Sequence, residues 1–297
     1  ISEILKNHPE YKIIHIHATA IGRICTDVAR KCGVKTIIAH SHSNNAIKDW
    51  KNYPKIILRK LYTKGPTDFF ACSEEAGKYT FRNKEFTVIY NAIDIDKFLF
   101  NQEVRENIRK ELNIEDKFVI GNIGRLQKEK NQTFLIDIFY KIQKKKDNAV
   151  LLIIGKGPLE NTLKEKVSNL GIDNKVYFLG NRKDVERIYQ GMDVFALPSL
   201  YEGLGIVAVE AQVSGLPVIA STGVAKEANI TSNIQNIDLK DSIDKWAETI
   251  CRSNVENRNS VEKLVRNSKF DVKNSAKFLQ EFYLKKYYGD GCNKNNE

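Results

Sequence analysis

Residues 197–221 read LPSLYEGLGIVAVEAQVSGLPVIAS. Together with the preceding DVFALP (193–198), the stretch gives a short β-rich run, a loop holding Gly203 and Gly205, an apolar helical segment, and a second β-rich run, LPVIAS (216–221). A strand, crossover helix and strand in this order form a parallel unit. Within it, Glu202 and Glu210 bracket residues that are otherwise small and apolar. A carboxylate buried without a partner is costly, so these two acids need either a specific task or a route to solvent.

The same alternation extends in both directions. YKIIHIH (11–17), VKTIIAH (34–40), TDFFACS (67–73) and FTVIY (86–90) are β-rich runs separated by helical patterns. They read as buried parallel strands. After a polar, helix-like segment from about Gln102 to Asn113, the pattern restarts with KFVIGNIG (117–124), AVLLIIG (149–155) and KVYFLG (175–180), and then reaches the opening stretch. Two such arrays predict an α/β protein with two Rossmann-like, doubly wound domains facing a cleft. The boundaries predicted are 1–100 for the first domain, 101–268 for the second, and 269–297 for a closing helix and polar tail.

Length agrees, because 297 residues is comfortable for two cores. Apolar residues make up 42% and charged residues 28%, an ordinary globular balance. The five cysteines are scattered, without C-x-x-C pairs or His/Cys ligand spacing, which suits a reducing cytoplasm and argues against structural zinc. Apolar runs such as AVLLII (149–154) fall far short of the roughly 18 residues that cross a bilayer. The opening ISEILKNHPE lacks the pattern of a signal peptide. A net charge of +10 raises the possibility of a nucleic-acid binder, but no reading motif accompanies it.

In open α/β sheets ligands sit beyond the carboxyl ends of the strands. IGRLQKEKN (123–131) places Gly124, Arg125, Lys128 and Lys130 before a helix that begins near Asn131. IGKGPLE (154–160) adds Gly155 and Gly157, with Pro158 expected at the first position of the next helix. LGNRKDV (179–185) and LPSLYEGLG (197–205) complete four loops. Glycines, cations and helix N-termini together describe a diphosphate-binding rim. Glu210 lies eight residues after Glu202, a little over two helical turns, so both are expected on nearly one face. Two acceptors beside an anion-binding helix start suit a diphosphate flanked by polyhydroxyl groups, as in a nucleotide sugar. A helix-start acid at Glu202 and a surface acid at Glu210 is the plainer reading. It leaves Val207, Ala208, Val209 and Ala211 around Glu210 unexplained.

Through HIHATAIGR, AHSHSN, ACSEEAGKY, VIYNAIDIDKF, GNIGRLQKEKN, LLIIGKGPLE, VYFLGNRKDV and the opening stretch, the chain resembles retaining GT-B glycosyltransferases of family 4, especially bacterial capsule and exopolysaccharide members. The resemblance implies that Glu202 contacts donor-sugar hydroxyls, Glu210 the ribose, and Arg125 and Lys130 the diphosphate. The backbone of Gly203, Leu204 and Gly205, with Gly124 and Gly157, would assist, and the loop around Arg182 would frame the base. Either His40 or His42 would reach the sugar from the other domain, a choice that spacing leaves open. It further implies a nucleoside-diphosphate sugar as donor, a lipid-linked or oligosaccharide acceptor, and no cofactor or metal. Relatives begin with a strand and glycine-rich loop that this sequence lacks, so an incomplete first domain with little transfer on its own is expected.

Ala92 stands where the wider family more often has glycine, and Asp94-x-Asp96 reads as an incidental match to a metal motif of another fold. Residues 46–64, AIKDWKNYPKIILRKLYTK, carry six basic residues among aromatic and aliphatic ones. That composition predicts peripheral association with the anionic inner leaflet of the plasma membrane, against a plain scaffold helix. The alternatives from other classes are a nucleotide-sugar epimerase and a non-catalytic basic binding protein.

Overall fold

The structure, a computed structural model, describes residues 1–17, 21–42, 63–254 and 257–289. The chain divides into two compact units, one of residues 1–92 with 272–297, the other of residues 93–271. The segment 46–64 lies, from 46 to 62, outside the described residues.

The first unit holds a parallel sheet ordered β1-β2-β3-β4, with β1 Ile13–Ile16, β2 Thr36–Ser41, β3 Asp68–Ala71 and β4 Thr87–Val88. Side chains alternate between faces. Ile37, Ala39 and Ala71 pack with Cys25, Ala29, Ala76 and Phe81 of the helices Gly22–Lys31 and Glu74–Phe81. Ile38, Phe70 and Ile89 pack with Leu279, Phe282 and Tyr283 of the helix Val272–Tyr288. Ser73 starts the helix Glu74–Phe81 by accepting the Ala76 amide, an ordinary N-cap.

The second unit holds a six-stranded parallel sheet ordered β10-β9-β8-β5-β6-β7. Its strands are β5 Phe118–Ile123, β6 Ala149–Ile154, β7 Val176–Gly180, β8 Val194–Leu197, β9 Val218–Ser221 and β10 Ile234–Ile237. The central strands are apolar on both faces and buried, as helices on either side require. Ile120, Phe139, Ile153 and Trp246 belong to one core cluster, and Trp246 Nε1 donates to the Asp238 carbonyl at 3.1 Å. The nine expected strands all form, so the fold is α/β with two Rossmann-like units. β10 has no counterpart in the expectation. Pro158 does not open a helix: the helix it precedes is Glu160–Asn169, and residues 158–159 form a turn.

The loops after β5 and β6 touch through their backbones. Leu126 N–H donates to Lys156 O and Leu159 N–H to Leu126 O, both at 3.1 Å. A Cβ on Gly155 would lie 2.1 Å from Gly124 O, and one on Gly157 2.3 Å from Leu126 O. Gly155 also has φ +131°, which side-chain-bearing residues rarely adopt.

Gly155→Ala is therefore expected to destabilise the second unit by on the order of 1–3 kcal/mol or more through combined strain and overlap. Gly171→Ala, at φ +66° with nothing within 4 Å of its Cβ, should cost only about 1–2 kcal/mol. Urea midpoints compare the two, and a loss at Gly155 no larger than at Gly171 would contradict the backbone-contact explanation.

Candidate functional site

β5 and β8 are neighbours, so their loops emerge side by side although they are far apart in sequence. Two hydrogen bonds to backbone carbonyls join the loops: Asn131 Nδ2 donates to Pro198 O at 3.1 Å, and Leu200 N–H to Glu129 O at 2.8 Å. Asn131 manages the junction by adopting the left-handed conformation (φ 55°), which asparagine tolerates, before the helix Gln132–Lys145 begins. Gly124 leaves room for the Lys130 stem, because a Cβ there would sit 3.2 Å from Lys130 Cε.

Lys130 and Glu202 are thereby brought together. Lys130 Nζ donates to Glu202 Oε1 at 2.6 Å, and Ser199 Oγ donates to the same oxygen at 2.7 Å. The Glu202 side chain is only 9% exposed, so its carboxylate depends on both donors. Arg125, one turn of loop away, is exposed, and its guanidinium makes no hydrogen bond or ion pair to a described residue. The helix Ile206–Val213 starts at Gly205 (φ 77°) without a side-chain cap, so its first amides remain available to an anion. Gly203 and Leu204 lie in the loop just before it.

Glu202 precedes this helix, so helical spacing does not relate it to Glu210. Ser199 and Lys130 place Glu202, whereas Glu210 is held from inside the helix by Tyr189, whose hydroxyl lies 2.9 Å from Oε2. Burial raises the Glu210 carboxyl from 4.5 to about 7, the Tyr189 hydrogen bond opposing that rise and the Glu186 charge adding to it.

Arg182 is committed elsewhere, with Nε and Nη2 on Asp184 at 2.8 Å and Nη2 on Glu111 at 3.0 Å. Gly157 is accounted for by the Leu126 backbone described above. Asp94 pairs with Lys97 at 3.5 Å and Asp96 with Arg266 at 2.7 Å, so each carboxylate faces its own cation. A cavity of about 520 Å³ opens instead at the amino ends of β5 and β9, beside Phe118 and Pro217. Two of its wall residues, Arg105 and Arg258, donate to the Gln190 and Met192 carbonyls, which identifies a packing seam away from the carboxyl-end loops.

In the first unit His40 is buried on β2 while His42, just beyond it, is exposed. Both belong to a group with His15 and His17, which the sequence reading had not singled out. Burial, followed by neighbouring imidazoles, lowers His15 to about 4 and His40 to about 3. Burial and His17 lower His42 against a hydrogen bond with Asn91 that raises it. The repeated His-x-His spacing in 15–17 and 40–42 was the available signal. Tyr189 and Ser199 had none, since each acts through a partner distant in sequence or in the opposite direction along the loop.

Two parallel α/β units, the second gathering cations and carboxylates beyond β5 and β8, define the GT-B class of fold. The chain belongs to the Glycosyl transferases group 1 family, whose model matches residues 104–269, more than half of it. It is 29% identical over 264 residues to EpsF of Bacillus subtilis (strain 168), whose name places it among glycosyltransferases; the match covers 85% of this chain and 68% of that protein. It is 25% identical over 206 residues to the UDP-Gal:alpha-D-GlcNAc-diphosphoundecaprenol alpha-1,3-galactosyltransferase of Escherichia coli, covering 64% of this chain and 52% of the relative. Among solved structures, HepE of Anabaena in complex with UDP superposes with TM-score 0.81 at 20% identity, covering 95% of this chain and 81% of that one. Family membership selects glycosyl transfer over the epimerase alternative. Among the described residues no helix is long and apolar enough to cross a membrane.

The raised Glu210 carboxyl has a consequence for stability. Between pH 4.5 and about 7 the folded chain retains a proton that the unfolded chain releases, so stability falls as pH rises through that window. Glu210→Gln removes the titration and is expected to exceed wild type by on the order of 2–3 kcal/mol above pH 7, with the gap closing below pH 4.5. Chemical denaturation across this range tests it; a pH-independent difference would contradict the burial of an ionisable Glu210.

Proposed function

We propose that this protein is a retaining family 4 hexosyltransferase that moves a sugar from a nucleoside-diphosphate sugar to a lipid-linked or saccharide acceptor in capsular or exopolysaccharide biosynthesis. The observation that carries the proposal is the convergence of Lys130, Ser199 and Glu202 beyond β5 and β8, with the unpaired Arg125 and the uncapped helix start beside them. A diphosphate supplies the anion that this arrangement lacks, and it competes with Glu202 for Lys130. The carboxylate so released accepts hydrogen bonds from the sugar hydroxyls. Glu210, held by Tyr189, accepts from the ribose.

In the transfer, the bond between the anomeric carbon and the phosphate oxygen breaks, and its electron pair leaves with the phosphate. The acceptor oxygen attacks from the same face, and its proton passes to the departing phosphate oxygen. Arg125, Lys130 and the helix amides are positioned to stabilise the growing phosphate charge, commonly the largest catalytic contribution. Neither glutamate acts as a nucleophile, and no metal takes part in these steps. The lipid-linked acceptor is suggested by the diphosphoundecaprenol substrate in the name of the Escherichia coli relative. Such an acceptor places the work at the cytoplasmic face of a membrane.

Binding measurements divide the roles. Glu210→Ala is expected to weaken UDP or GDP and the corresponding nucleotide sugars alike, whereas Glu202→Ala should weaken only the sugar-bearing ligands, each by about 1.5–3 kcal/mol for a charged hydrogen bond. Equal losses for the free nucleotide in both variants would overturn the assignment. Arg125→Ala and Lys130→Ala should each lower kcat/KM by a similar free energy with any accepted donor. Turnover unchanged after replacing both would remove the proposed rim.

A further inference from the structure

The first unit carries a cluster of four histidines, of which the transfer reaction would use one, His40 or His42. β1 and β2 run parallel with Ile16 opposite Ala39, and alternate residues share a face, so His15 and His17 stand beside His40 and His42 on one side of the sheet. Phe70 of β3 and Tyr283 of the terminal helix pack against the same imidazoles. Ring centroids are 4.3 Å apart for His15 with His17 and also for His40 with His42. Four imidazoles in one patch are more than a packing core requires, since leucine or valine would fill the space without needing donors and acceptors to match.

We propose that His15, His17 and His40 form a binding site for a late first-row divalent ion, of which zinc is the type. One ring nitrogen from each lies within 4.8 Å of the others, and His15 Nε2 is 3.1 Å from His40 Nδ1. A tetrahedral zinc ion with bonds of about 2.0–2.1 Å separates its ligand nitrogens by roughly 3.3 Å. One pair therefore already has close to the required spacing, and rotation of the third ring closes the set. Imidazole donors without carboxylates favour zinc, copper or nickel over magnesium or calcium.

The remaining nitrogens of His15 and His17 support the same assignment. His15 Nδ1 lies 2.5 Å from Tyr283 Oη, and His17 Nδ1 lies 2.9 Å from His42 Nε2. Ligating histidines commonly carry such a partner on the other nitrogen, which fixes the tautomer and orients the ring. His40 is 5% exposed, and with Nδ1 on the ion its Nε2 keeps no hydrogen-bond partner among the described residues. A metal accepts a ring lone pair without requiring a proton, so it relieves the donor and acceptor matching that these adjacent rings otherwise have to solve. Three protein ligands leave one position for water or an exogenous group. No step of the proposed transfer passes through the ion.

Titration of the purified full chain with Co2+, followed by displacement with Zn2+, tests the proposal. One ion per chain is expected, with the visible spectrum of nitrogen-ligated cobalt, no thiolate charge-transfer band, and a higher melting temperature in zinc. His15→Ala and His40→Ala should lower affinity by more than about 100-fold, exceeding the roughly 10–100-fold loss expected of an outer-shell change such as Tyr283→Phe. Tyr283→Phe retains the ring, so it reports on the site even if a histidine variant fails to fold. His8→Ala, at an exposed position outside the cluster, should bind as wild type does. Absence of stoichiometric binding, a thiolate band, or affinity unchanged in Tyr283→Phe together with either histidine variant would overturn the site.

Discussion

A carboxylate that is 9% exposed needs hydrogen-bond partners, and Glu202 stays in place because Lys130 and Ser199 both reach one of its oxygens. Such a pair adds little to net stability, because desolvating both charges offsets most of their attraction. Its effect is positional. It ties the loop after β5 to the loop after β8, which are adjacent in space only because β5 and β8 pair. It also holds a lysine at the mouth of an uncapped helix before any anion arrives. In the proposed reaction the diphosphate and sugar take over the two halves of this pair, so ordering of the loops precedes binding and need not be supplied by the ligand.

The fold was legible because parallel strands buried on both faces leave apolar runs that polar sequence cannot imitate. AVLLII and LPVIAS had no other plausible structure, and they form β6 and β9. β10 escaped because its sequence, Ile234-Gln-Asn-Ile237, sits at the edge of the sheet, where one neighbour suffices and polar residues are tolerated. The helix start was placed two residues too early, at Pro158, for a related reason. Proline's fixed φ suits a tight turn as well as a helix start, and the packing of Leu159 N–H on Leu126 O selected the turn.

The site was legible by residue type and less so by geometry. The pairing of Lys130 with Glu202 could not be read from a separation of 72 positions. Eight-residue spacing put Glu202 and Glu210 on one face, but the helix begins at Gly205 and Glu202 stays in the loop before it. Gly157 illustrates the ambiguity of a Gly-x-Gly loop. The absent Cβ admits a backbone, and the chain's own Leu126 carbonyl lies against that position. Arg182 illustrates the matching ambiguity of a cation, which Asp184 and Glu111 draw into a local network. Tyr189, whose partner Glu210 is 21 positions away, is a polar residue that a linear reading passes over.

The same topological rule accounts for both polar clusters. Parallel strands aim all their carboxyl ends in one direction, so residues at strand ends in different parts of the sequence meet without any local motif joining them. In the second unit that convergence brings Lys130 to Glu202. In the first, His-x-His at the end of β1 and at the end of β2 places four imidazoles on one face. Two strands contributing alternating residues form a ladder in which each added histidine faces others already present. Their mutual repulsion when protonated, together with burial, keeps His15 and His40 neutral at physiological pH. A patch of neutral imidazoles is a poor structural core, because adjacent ring nitrogens such as His15 Nε2 and His40 Nδ1 must match donor to acceptor. The arrangement is therefore better suited to a ligand than to packing alone.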